Sequence, residues 1–179
     1  MKKFIIFALA VFALTVSPVA AQEFGLFSVN PSASIVMPEH HDMGFGINVS
    51  ANVGEVMEGL SIYPAISYWM ASWENYENSS TNNIAIGADV HYTMDAFPEG
   101  MYVGAGLSYN MLTWEYDYLD PWTGNTKTWS FDDNNFGTSA FVGYAFTMGN
   151  FGLFAEARYN VINNFNNLQL SVGVPFSMK

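Results

Sequence analysis

The sequence predicts an all-β chain, an eight-stranded antiparallel up-and-down barrel that crosses a membrane with strands. Three observations carry this. Half of the 179 residues are hydrophobic and 17% are aromatic, yet only 12% are charged, about half the charged fraction usual for a soluble domain. After residue 22 no stretch supplies the ~20 consecutive apolar residues of a membrane helix. Apolar and polar residues instead alternate with period two in runs of about 9–11 residues, the length a membrane-spanning strand needs. In lipid every backbone N–H and C=O must be paired internally, and a closed barrel is the strand solution to that requirement.

The runs follow in order. Phe27 to Met37 alternates around Pro31. In "FGINVSANV", Phe45, Ile47, Val49, Ala51 and Val53 share one face, opposite Gly46, Asn48, Ser50 and Asn52. Leu60 to Trp73 places Ile62, Ile66, Tyr68 and Met70 together, and "IAIGADVHY" sets Ile84, Ile86, Ala88, Val90 and Tyr92 against Ala85, Gly87, Asp89 and His91. "MYVGAGLSYNM" alternates from Met101 to Met111, and Phe136 to Phe146 places Ala140, Val142, Tyr144 and Phe146 on one face. "LFAEARYNV" and "LQLSVGVPF" close the set. Between them, "PEHHD", "ENYENSSTN", "LDPWTGNTK" and "NNFN" are polar loops at one end, and "GEVMEG", "MDAFPEG" and "TMGN" join the other. An even strand count puts both termini at one end, the periplasmic one for an exported chain.

Export is predicted by the N-terminus. Lys2 and Lys3 precede an apolar run, Phe4 to Val16, and Val19-Ala20-Ala21 supplies small residues for cleavage. This is the pattern of a secretory signal peptide, so residues 1–21 are assigned to it and 22–179 to the barrel domain. Losing Lys2 and Lys3 takes the formal charge from −11 to −13, because all 16 acids lie further on. Such a chain disfavours nucleic acid, whose phosphates need clustered cations. It has no Cys, so stability must come from packing or from a lipid surround.

As a set, "MYVGAGLSYN", "FVGYAF" followed by "TMGNFGLFAEARYN", and the closing "LQLSVGVPF" resemble the small eight-stranded outer-membrane barrels of the OmpA, OmpX and OmpW type. The resemblance covers roughly residues 24–176. It implies an integral outer-membrane protein of a Gram-negative bacterium, surrounded by lipid and lipopolysaccharide, monomeric and without a cofactor. Such barrels commonly end on an aromatic residue, whereas this chain ends "PFSMK", so Phe176 would serve from inside the terminus.

With the apolar face toward lipid, Asp89, His91, Glu156 and Arg158 face the lumen. Arg158 is the only Arg. Buried alone it would be costly, so Glu156, at i, i+2 on the same strand face, and Asp89 are its natural partners. A barrel of this size is filled by side chains, so a charge network is expected rather than an open pore. Glu39, His40, His41 and Asp42 form a loop in which adjacent histidines chelate poorly; a solvated loop is expected and no metal site.

The aromatics raise a sharper question. Parity places Trp69, Trp73, Trp114, Tyr116, Tyr118, Trp129 and Phe131 on the inward face, over the extracellular mouth. A β-bulge would flip the register and return them to the lipid-facing girdle, and the sequence leaves both arrangements open. Three functions are compatible with the pattern. The first is a non-enzymatic structural or surface-binding barrel, whose aromatic hairpin contacts small hydrophobic molecules or a surface partner, as the OmpW resemblance implies. The second is a lipid A-modifying enzyme, which needs a Ser within reach of a His. The third is a soluble lipocalin-like barrel, which inverts inside and outside.

Overall fold

The computed structural model describes residues 24–73, 78–93, 96, 98–148, 151–163 and 165–178. The expected signal peptide, 1–21, lies outside them. Ten strand segments make up eight staves: β1 (Ser28–Pro38), β2 (Gly44–Asn52) with β3 (Gly54–Met57), β4 (Leu60–Ala71), β5 (Ser79–Tyr92), β6 (Met101–Leu119), β7 (Thr126–Met148), β8 (Phe151–Ile162), and β9 (Asn167–Gly173) with β10 (Phe176–Ser177). Every pairing is antiparallel, and each stave pairs with its neighbours in sequence. One further seam, β1 with β9 and β10, closes the cylinder. Both termini therefore lie at the same end.

The two interrupted staves have local causes. At β2–β3 the Asn52 side chain accepts a hydrogen bond from the Gly54 N–H at 2.9 Å, and the register shifts between Glu55 and Met57. At β9–β10 Pro175 has no N–H to give to the ladder, while the Val174 N–H is taken by the Pro31 carbonyl. The β4 strand ends at Ala71, two residues short of the expected Trp73, which forms an isolated bridge with His41. The loop read over residues 74–82 is strand from Ser79 onward, while the loop read over 119–127 holds at residues 120–125, with β6 and β7 running up to it from the spans expected at 101–111 and 136–146.

Inside and outside are arranged as in a membrane protein. Phe45, Leu107 and Phe136 are 68–70% exposed, as lipid-facing side chains must be once the bilayer is removed. Asn30, Ser34, Ser50, Asn83, Asn110 and Gln169 are buried. A lipocalin would show the reverse, so the soluble alternative does not hold. The lumen is narrow enough to need glycine. A Cβ at Gly106 would strike the carboxylate of Asp89, its cross-strand partner, and one at Gly143 would strike the ring of its partner Tyr102.

On β6 and β7 the outward face is apolar up to Met111 and Phe136, where Tyr109 and Phe136 pack edge to face. Above that line it turns polar. Thr113 donates to Asp132 at 2.8 Å, and Thr128 donates to Asp117 at 2.6 Å. The hairpin thus leaves the bilayer and rises by roughly 25 Å of strand, at ~3.3 Å per residue.

Candidate functional site: a lumen plugged at one end and open at the other

The β6–β7 register answers the question about the tryptophans. Pairing runs without a bulge from Met101↔Tyr144 to Leu119↔Thr126, so parity carries through and the aromatics stay on the inward face. Trp69 is buried and stacks on Phe165 at 5.5 Å; Trp114 packs edge to face against the same ring. With Val36, Ala71, Leu112 and Ile162 they form an apolar plug across the mouth. Phe165 was hidden from sequence reasoning, because "NNFN" reads as a polar loop. Its signal was a single large apolar residue between asparagines at the plugged end.

Beyond the plug the aromatics leave the barrel. Trp114 stacks on its cross-strand partner Phe131 at 5.5 Å, and Phe131 stacks nearly parallel to Trp129, at 3° and 6.0 Å. Trp129 and Phe131 are half exposed, since β7 pairs with β8 only up to Gly137↔Ile162, and beyond it, among the described residues, β7 has β6 as its sole strand neighbour. Tyr116, opposite Trp129, is partly buried, and Tyr118, opposite Lys127, is exposed. At the tip Trp122 is 94% exposed. Asp120 holds the turn, accepting from the N–H of Trp122 through its side chain and from that of Gly124 through its carbonyl. Gly124 takes a left-handed φ of 68°. The Lys127 ammonium beside Asp120 holds its carboxyl below the usual range.

Trp73 serves a different role. Its indole N–H donates to Thr81 Oγ1 at 2.8 Å. The Thr81 hydroxyl in turn lies 2.9 Å from His41 Nε2, and His41 Nδ1 lies 2.8 Å from the Glu39 carbonyl. This chain assigns the neutral imidazole with its proton on Nδ1. His41 also packs against Phe165 and Trp73. It is therefore part of the plug's rim, not the solvated loop residue expected from "PEHHD". Burial lowers its pKa from 6.5. Below pH 6.5 the unfolded chain takes up a proton that the folded rim resists, so the mouth loses stability as pH falls through that range and gains nothing above it. Urea midpoints between pH 8 and 5 should show this fall, and His41→Gln should flatten it.

Within the lumen the structure brings together three of the four expected network residues. Arg158 donates to both Asp89 oxygens, at 3.0 and 2.7 Å, and through Nε to Glu156 at 2.9 Å. Its guanidinium carbon lies 4.2 Å from the centre of the Phe141 ring. Tyr102 donates to the second Glu156 oxygen at 3.2 Å. His91 is the exception. It makes no ion pair here but stacks between Tyr63 and Tyr102, with centroids 3.8 and 4.9 Å away. The stack is set by register, since Tyr63↔Asp89 and His91↔Gly104 bring the rings side by side.

The ion cluster divides the lumen. Asp89 and Arg158 border a small polar chamber of about 50 Å³ beneath the plug, lined by Asn83, Asn110 and Gln169. Glu156 and Arg158 form the floor of a larger vestibule, about 230 Å³, that reaches Gly59, Thr93, Gly100 and Pro175 at the end carrying the termini. The barrel is thus a blind tube. Among the described residues no group of three or more His, Cys, Asp and Glu could hold a metal ion.

Known proteins fit this architecture. The chain is similar to the neisserial surface protein NspA, with 22% identity over 85% of this chain and 97% of that one and a TM-score of 0.54. It is similar to the N-terminal β-barrel domain of Pseudomonas aeruginosa OprF, with 14% identity over 85% and 99% and a TM-score of 0.56. The attachment invasion locus protein Ail of Yersinia pestis aligns at 11% identity over 86% and 97%, with a TM-score of 0.53. At these identities the likeness is one of fold. No curated protein matches the chain. The outer membrane protein beta-barrel domain family matches residues 6–176, nearly the whole sequence, and with the closed eight-stave cylinder and its lipid-facing apolar band it follows that this chain is an outer-membrane β-barrel belonging to that family.

Proposed function

We propose that the protein is a non-enzymatic surface barrel whose β6–β7 hairpin makes contacts above the membrane through Trp122, Trp129 and Phe131. One observation carries this reading: the two half-exposed rings stack parallel within 3° on a ribbon paired without a bulge. Preorganised aromatics bind at low entropic cost and are the usual anchors of contact surfaces. The occupied mouth directs a small hydrophobic molecule to this ribbon rather than into the lumen.

An enzyme would need an accessible hydroxyl beside its base. The hydroxyl–imidazole pair Thr81–His41 supports a structural role instead, because Thr81 is fully buried, accepts from Trp73 and has inward parity. The test is saturation-transfer NMR with benzyl alcohol on the protein in phosphatidylcholine nanodiscs, with empty discs as baseline. A protein-dependent signal that falls several-fold in the Trp129→Ala, Phe131→Ala double variant is expected. An unchanged signal in that variant overturns the reading.

A further inference from the structure

The vestibule at the end opposite the plug has no part in that surface role, yet it is chemically specific. Its floor is Glu156 and Arg158, and Asp89, on the chamber beyond, completes the same buried cluster of two carboxylates and one guanidinium. One negative charge is therefore left over. All three Arg158 nitrogens already donate to carboxylates, so its positive charge is already matched and an anion meets the surplus carboxylate. Two buried polar atoms of vestibule-lining residues have no partner, Ser32 Oγ and His91 Nε2, and Ser32 is only 8% exposed. Buried polar atoms are nearly always satisfied in native proteins, so these two mark a place that a polar group fills. The outer wall differs, with Phe154, Ala145 and Pro175 giving apolar surface near the opening.

We infer that this vestibule binds a small primary alkylammonium ion, with its charged head against Glu156 and its short chain toward Phe154 and Pro175. An ammonium group brings three donors and no acceptor, matching one surplus carboxylate charge and two unpartnered atoms that can both accept, a hydroxyl oxygen and an imidazole nitrogen. A bare metal ion fits less well. Hard cations require six or more oxygens at 2.0–2.6 Å, and the Glu156 oxygens already accept from Arg158 and Tyr102, whereas a cavity of about 230 Å³ with an apolar outer wall has room for a short alkyl chain. Charge selects a cation and volume selects an organic one.

The experiment is calorimetric titration of the intact protein in phosphatidylcholine nanodiscs with butylammonium, 1-butanol and butyrate, subtracting empty discs. Saturable heat is expected with butylammonium, at least tenfold weaker affinity with butanol, and none with butyrate. Glu156→Gln should weaken butylammonium at least tenfold. Because that variant alters the ion cluster, Ser32→Leu is the second test: it fills the vestibule without touching a charge and should also abolish the heat. Folding of both is read from the shift in gel migration between unheated and boiled samples. Equal heats for the three solutes, or wild-type affinity in a folded Ser32→Leu variant, would overturn the inference. Neither outcome bears on the hairpin, which lies at the opposite end.

Discussion

Replacing Arg158 with Met should destabilise the folded barrel by about 3–5 kcal/mol, the usual cost of removing one partner from a buried ion pair. The reason is less the lost bonds than what remains. Asp89 and Glu156 are almost fully buried on their side chains, and without the guanidinium they would face each other across a narrow polar lumen. The measurement is the urea midpoint of the protein in lipid vesicles. The triple variant Asp89→Asn, Glu156→Gln, Arg158→Met removes all three charges and should recover most of the loss. Neutral side chains owe no comparable desolvation penalty, and exchanging a whole buried ionic cluster is often close to neutral. If the single and triple variants lose the same amount, uncompensated charge is not the cause.

The second large effect is expected at Phe165. This ring, 5% exposed, touches Trp69, Trp114 and His41. Cutting it back to Ala leaves a cavity at the centre of the plug, where Phe-to-Ala changes typically cost about 3–5 kcal/mol. Two signals should accompany the lower midpoint. The fluorescence of Trp69 and Trp114 should shift to the red as water reaches them, and amide exchange should quicken around Leu112 and Ile162. An unchanged emission spectrum with a wild-type midpoint would mean that the mouth is held by the strands alone.

The comparison of sequence with structure turns on which information is local. Alternation is local, and from it the eight staves, their lipid face and the inward direction of Asp89, Glu156 and Arg158 were all legible. Contacts between staves are not. His91 joins an aromatic stack because β4 and β6 meet β5 in one particular register, and its own strand carries no trace of that. The inward parity of Tyr102 was available from "MYVGAG", but not its distance from Glu156. The tryptophan question depended on whether one residue was inserted into a ladder, and composition does not record such an insertion. Phe165 lay furthest from view, because a loop has no period from which to infer direction. His41 escaped for the same reason.

The seam between β1 and β9 has a consequence for how the protein is made. Every other pairing joins consecutive staves and can form by zipping up short hairpins, each with little loop-closure entropy. The seam joins Ser34 to Ser171 and can form only when the whole chain is in place. Until then the half-built sheet has two naked borders, and unpaired borders recruit strands from other molecules. On β1 the backbone of Pro31 faces this seam, where its carbonyl accepts from the Val174 N–H. Proline withholds the hydrogen an intruding strand would need, which is one way natural sheets keep their margins from aggregating. In the finished barrel Pro31 merely interrupts the ladder; during assembly it would shield the open border of the first stave.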